Sequence, residues 1–299
     1  MTINQWSTTP ANNASGVTSV NWAEGQPPSS VNDSARQVMA DVAAWRNMFG
    51  KFISGLTYAN NGSDAVNDID IATGTAMDSA GTYFLNLASS ITKQSDAIWA
   101  VGTNAGGLDT GSVGNSDYYI WLISRSDTGV VDVLYSLSST APTMPANYDK
   151  KRLIGWFKRS GGTIVAFHTY EREGGGLQLL WDAPTLDVNL ANTLTTSRRT
   201  DAVKVPLNFS VEAILNIHTS DASTSQQSYI YCPDMTDQAP SATAAPLSST
   251  ATAAADGGIQ MSPMTIRTSA AGLIAARSTL ATVDLYVVST LGFNWARRN

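Results

Sequence analysis

The chain has 299 residues, 18 basic against 24 acidic, a formal net charge of −6 and only 14% charged positions. That length calls for one large or two modest cores, and sparse charge with abundant Ser, Thr, Asn, Ala and Gly favours a β-rich particle or extracellular protein over a helical cytoplasmic enzyme. The basic residues form no stripe, only the short runs Lys150-Lys151-Arg152, Arg198-Arg199 and Arg297-Arg298, so nucleic acid is not an expected partner.

Met1 to Trp6 lacks the basic start and apolar run of a leader, and no stretch approaches the roughly 18 apolar residues of a membrane span, so neither is expected. Pro27 and Pro28 interrupt any earlier helix, and Ser30 is the expected N-cap of a helix starting near Val31, with Asp33 in its first turn facing the positive helix end. Val31, Ala35, Val38, Val42, Trp45 and Phe49 then recur at spacings of 4, 3, 4, 3 and 4, an apolar stripe with a heptad-like rhythm. Such a stripe needs a partner. It packs either on the chain's own β domain or on further copies about a symmetry axis.

The run WAEGQPPSSVNDSARQVMADVAAWRN, preceded by INQWSTTPANNASGVTSVN, resembles the N-terminal virion-attachment segment of tailed-bacteriophage tail fibre and fibre-like proteins. The matching positions are Trp6, Thr9, Pro10, Asn12, Trp22, Glu24, Gly25, Pro28, Ser29, Val31, Asn32, Asp33, Ala35, Arg36, Met39 and Trp45. This resemblance covers about the first fifty residues. It implies a homotrimer docked on a phage particle, with Trp6, Pro10, Asn12, Trp22, Glu24, Gly25 and Pro28 on the docking surface. The apolar stripe is then the trimer contact.

Residues 51–66 read as a linker ending in the turn Asn60-Asn61-Gly62-Ser63-Asp64. From about Asn67 short strands are expected at Ile69–Ala72, Tyr83–Leu87, Ala97–Gly102, Tyr118–Ser124, Val130–Ser136, Arg152–Lys158 and Thr163–Tyr170. Asp127-Thr128-Gly129 and Ser160-Gly161-Gly162 are hairpin turns, because glycine supplies the positive φ that such turns need. Further strands are expected at Leu177–Trp181, Lys204–Phe209, Val211–His218, Gln227–Tyr231, Met264–Thr268, Leu273–Ala276 and Val283–Val288. Between them Thr236–Gly258, almost wholly Ala, Ser, Thr and Pro, is expected to be a long loop, an extended arm over a neighbour, or a mobile segment.

The expected fold class is mainly β: an extended N-terminal segment and one amphipathic helix (1–50), the linker (51–66), then antiparallel sandwich or jelly-roll parts at 67–190 and 191–299, separate or continuous. The segment DYYIWLISRSDTGVVDVLYSLSSTAPTMPANYDKKRLIGWF and the ending DLYVVSTLGFNWARRN resemble the β domains that follow this attachment segment in phage proteins, although an Asp often stands where this chain has Trp295.

Chemistry has few candidates. His168 and His218 are the two histidines, each best read as a strand residue, and there is no HExxH, phosphate loop or dinucleotide fingerprint. Asn61, Ser63, Asp64, Asn67, Asp68 and Asp70 form the densest oxygen cluster, but EF-hand spacing and its terminal Glu are missing, which favours a polar turn over a calcium site. Asp127 with Asp132 and Glu171 with Glu173 are unremarkable acid pairs for sugar cleavage, and no repeat supports a β-helix depolymerase. Cys232 is the single cysteine, so no intrachain disulfide forms. Trp99, Trp121, Trp156 and Trp181 are expected core residues.

The resulting expectation is a non-enzymatic virion protein without cofactor or metal, assembled in the host cytoplasm. It binds other virion proteins at the tail or near the portal, its own copies, and through its β domain a host-surface glycan. The alternatives are a tail adaptor or head-fibre assembly protein with no host contact, and a glycan depolymerase on the same scaffold.

Overall fold

Glu212 to Ser220 alternates between outward and buried positions, with Ala213, Leu215, Ile217 and Thr219 all inward. Period-two patterning of this kind leaves one face of a sheet wet and one in a core. A computed structural model describes residues 25–48, 50–221, 226–240, 248–250 and 262–297, and shows a mainly β protein with one helix among those residues.

Helix α1 spans Pro28–Met48. It begins earlier than expected: the Ser30 and Val31 amides both donate to the Pro27 carbonyl, at 3.0 and 3.4 Å. Proline suits the first helical position, where its missing N–H would have no helical partner and its φ is already helical. Ser30 therefore lies inside the first turn, its hydroxyl donating to the Pro27 carbonyl at 2.8 Å, and Asp33 sits beyond that turn.

The first strands are β1 (Ile53–Gly55), β2 (Tyr58–Asn60), β3 (Asp68–Ile71), β4 (Gly74–Met77), β5 (Phe84–Leu87), β6 (Ile91–Ile98) and β7 (Ala105–Leu108). Next come β8 (Asp117–Ser124), β9 (Val131–Ser136), β10 (Lys150–Ser160), β11 (Thr163–Ile164), β12 (Phe167–Arg172) and β13 (Gly176–Leu194). The last are β14 (Arg199–Ala202), β15 (Glu212–Ser220), β16 (Gln226–Tyr231), β17 (Ser248–Thr250), β18 (Ser262–Arg267), β19 (Leu273–Ser278) and β20 (Val283–Trp295). They form sheets in the orders β1-β4-β5, β11-β10-β8-β9-β7-β6-β3-β2, β12-β13-β20-β15-β18 and β14-β19-β16-β17. Pairing is antiparallel except at β6 with β7 and β7 with β9.

Both expected hairpins form: β8 pairs with β9 and β10 with β11, with Gly129, Gly161 and Gly162 at φ 74, 63 and 84°. The sheets meet at Trp156 of β10, which is 0% exposed and packs edge-on against Trp181 of β13 and Phe293 of β20 at 5.8 and 5.6 Å. Trp121 and Trp181 are buried as expected, and Trp99 is partly buried against the same core.

Residues 51–66 are not a linker. Ile53, Leu56 and Tyr58 are buried, and the Tyr58 hydroxyl donates to the Trp156 carbonyl at 2.8 Å while accepting from the Trp156 amide at 3.0 Å. It fills the register shift between Leu153 and Gly155 of β10, where a Cβ on Gly155 would lie 2.5 Å from the Tyr58 ring. The Asn60–Asp64 turn signal is real, but it joins β2 to β3 within the sheet.

The 190/191 boundary falls inside β13, where Leu190 and Ala191 pair with Tyr286 and Leu285 of β20. One hydrophobic cluster runs from Ile53 to Trp295 across both halves. Three expected strands differ. Residues 99–104 form a loop between β6 and β7, because the buried inward row of β6 is Ile91, Lys93 and Ser95, which hides the strand's period from a hydrophobic reading. Lys204–Phe209 is a series of bends, broken by Pro206 and by Asn208 at φ 68°. Thr163–Tyr170 divides into β11 and β12. Within Thr236–Gly258 the short β17 pairs with β16, and much of the remaining stretch lies outside the described residues.

Candidate functional site: the assembly helix and the exposed sheet face

Of the expected docking residues, Trp6, Pro10, Asn12, Trp22 and Glu24 lie outside the described residues, as do Phe49 and the side chain of Trp45. Gly25 stands at φ 79° just before the helix, a conformation that favours glycine, and Pro28 opens the helix. Along the stripe Val31 and Val42 are 38% and 45% exposed, Ala35 and Val38 are half-buried, and Met39 beside them is 71% exposed. Among the helix residues whose side chains are described, none belongs to the hydrophobic cluster of the β domain. The flanks are polar: Arg36 pairs with Asp33 at 3.0 Å in solvent, and the Gln37 amide donates to Asp41 at 3.0 Å. Just after the helix in the chain, Phe52 is exposed, and its ring stacks on that of the exposed Phe84 at 6.4 Å.

Several of the candidates for chemistry are tied into the local structure. His168 lies 3.2 Å from Asp182, with both side chains largely in solvent. The Asn61 side-chain oxygen accepts from the backbone amides of Ser63 and Asp64, the Asp64 carboxylate accepts from those of Val66 and Asn67, and the Asn61 side-chain nitrogen donates to Asp70 at 2.8 Å. These are Asx turns that lock the β2–β3 connection. Burial, and then Asp64, Asp96 and Asp70, push the Asp68 carboxyl up. Among the described residues no group of three or more side chains is arranged to hold a metal ion.

The acid pairs separate as well. Asp127 binds Arg125 through two hydrogen bonds at 3.0 and 2.7 Å, whereas Asp132 is buried against Lys93 at 3.2 Å. Lys93 also donates to the carbonyls of Ala100 and Gly102, and Asp132 accepts from the Gly102 amide, so this ion pair fastens the 99–104 loop. Glu171 accepts from the Gly55 amide at 2.7 Å.

A carboxylate latch holds the segment after β16. Asp237 accepts from the Tyr231 hydroxyl at 2.6 Å and from Arg277 at 2.8 Å. Those bonds, that of Tyr231 first, hold the Asp237 carboxyl below its ordinary value, while burial and then Asp237 push Tyr231 up to about 12. A carboxyl depressed in the folded state contributes fully above its unfolded value, and the contribution is lost as pH falls through the lower, folded value. Hydrogen exchange at Asp234 to Gln238 should therefore accelerate below the ordinary value of 3.8 before the β sheets unfold. Uniform exchange across the chain at that pH would show that no local latch exists.

One surface feature escaped the sequence reading because register between distant strands is invisible in a linear sequence. Tyr170 of β12 stands opposite Gln178 of β13, Gln178 opposite Asn294 of β20, Asn294 opposite Glu212 of β15, and Glu212 opposite Arg267 of β18. The row crosses the whole five-stranded sheet on its outward face. Beside it a groove of about 220 Å³ is lined by Arg172, Glu173, Glu212, Arg267 and Asn294.

No helix among the described residues is long and apolar enough to cross a membrane. The chain matches no protein-family model, no curated protein and no solved structure.

Proposed function

We propose that the chain is a structural protein of a tailed-bacteriophage particle: a homotrimeric tail fibre or fibre-like appendage, anchored through its N-terminal segment, with the β domain turned to the host surface or to neighbouring subunits. The observation that carries this reading is a 21-residue helix whose Val31 and Val42 stay exposed, and whose described side chains lie outside the core cluster of the β domain. An apolar stripe outside a finished core is an interface waiting for a partner. The resemblance of residues 6–45 to virion-attachment segments supplies the kind of partner.

The side chains also favour three copies over two. Val38 and Val42 occupy alternate positions of the seam, and β-branched residues at both kinds of seam position shift parallel coiled coils from dimers toward trimers and tetramers. Function on this reading is binding, amplified by threefold avidity. The β domain acts without catalysis, cofactor or metal, and the protein reaches the virion after assembly in the host cytoplasm.

An electron-microscopy map of the particle, with mass spectrometry of its proteins, tests the proposal. The expected result is three copies of this chain per appendage with residues 1–24 seated on tail or portal-proximal proteins. Absence of the chain from purified particles would sink it.

A further inference from the structure

The outward row of the five-stranded sheet has hydrogen-bonding groups left over in a fixed order. Asn294 accepts at its side-chain oxygen from Arg172 at 3.2 Å and from Gln178 at 3.0 Å. An amide oxygen has two lone pairs, so both are occupied and the amide N–H groups are the part left to donate. Glu212 and Arg267 stand directly opposite each other in register, yet they form no ion pair and no hydrogen bond among the described residues. Cross-strand opposite charges usually close on one another for a modest gain. Here they stay apart over the groove.

From β20 to β18 the row thus reads donor, acceptor, donor on adjacent strands, spaced about 4.8 Å apart by the sheet itself. At the other end the Tyr170 ring is 52% exposed, an apolar face on a rigid strand. Two cations, Arg172 and Arg267, are balanced by two anions, Glu173 and Glu212, which disfavours a polyanion or a polycation as occupant. The volume of about 220 Å³ lies below the ~300–1,000 Å³ of drug-sized sites and suits one small ring at a time.

We infer that this face is a binding site for a neutral saccharide. Vicinal hydroxyls are each donor and acceptor, so a single ring can accept from Asn294 and Arg267 while donating to Glu212, and a neighbouring ring can lie on Tyr170. The inference deepens the appendage reading by naming the chemistry its β domain recognises, and binding by the isolated protein can be read without a virion. Loss of one therefore does not imply loss of the other.

The test uses the full chain on a printed array of bacterial-surface and other oligosaccharides, alongside Tyr170→Ala, Glu212→Gln and Arg267→Met. At least one neutral saccharide should be retained, and each substitution should weaken retention about tenfold, the loss of one hydrogen bond to a charged group or one stacked ring. Melting temperatures should not change, because the Glu212 and Arg267 side chains are exposed and unengaged and Tyr170 is half in solvent. No retained saccharide, or retention indifferent to Glu212→Gln and Arg267→Met, overturns the inference. So does dissociation of the assembly by Arg267→Met in sedimentation, which would make the face a contact between copies.

Discussion

Replacing Arg297 by alanine should lower the unfolding free energy by about 3–5 kcal/mol, the cost of breaking a buried charged interaction and stranding its partners. The side chain is 1% exposed and donates to four carbonyls: Gly175 at 2.8 Å, Leu56 and Gly55 at 3.1 Å, and Gly176 at 3.4 Å. Its own carbonyl accepts from Arg152, which also reaches the Lys51 carbonyl at 3.3 Å. The last strand, the first strand and the turn before β13 are thereby fastened at one point. Burial pulls the Arg297 guanidinium down to about 10, with Tyr58 and Glu171 opposing the change, so it remains charged at neutral pH.

No carboxylate lies within ion-pair distance of that charge among the described residues, and four carbonyl dipoles solvate it directly. Lysine should not rescue the site, because one ammonium cannot reproduce the planar fork that addresses both sides of the junction. Chemical denaturation followed by far-ultraviolet circular dichroism measures the change. A loss below about 1 kcal/mol for Arg297→Ala would mean that the carbonyls find water or other donors, and that the clasp is dispensable.

The architecture was legible where local chemistry is decisive. Glycines at 129, 161 and 162 announced two hairpins, and the alternation from Val211 to His218 announced β15. Buried charge was where the reading failed. Lys93, Arg152, Arg159 and Arg297 are all at most 4% exposed, yet each looks like a surface residue in a sequence. Lys93 concealed β6, and Arg297 looked like half of a solvated basic pair although it closes the fold. Nor does a sequence say that Tyr58 plugs a bulge almost a hundred residues away, which is why the segment carrying it read as a linker. For the site the division is similar. The helix and its stripe follow from spacing alone, whereas the outward row exists only once four pairings have set Tyr170, Gln178, Asn294, Glu212 and Arg267 side by side.

Changing Val38 and Val42 together to Asp should abolish self-association and leave the β sheets intact. Burying a valine contributes about 1.5–3 kcal/mol, and taking an unpaired carboxylate out of water costs several more. Two such changes per chain, repeated in every copy, exceed the roughly 4 kcal/mol that separates a stable assembly from one a thousandfold weaker. Sedimentation should then report a single 31.6 kDa chain, against the trimer expected of the unaltered protein. The β signal and the unfolding midpoint should stay the same, because the exposed Val42 and half-buried Val38 lie outside the core cluster. Collapse of the β signal in this variant would instead make α1 part of the domain core. A variant that remains trimeric would move the contact elsewhere, with the exposed Phe52–Phe84 stack as the next surface to change. Val38→Ala with Val42→Ala separates lost packing from added charge: it keeps helix propensity high and removes only apolar area, so weakened but measurable association is the expected result.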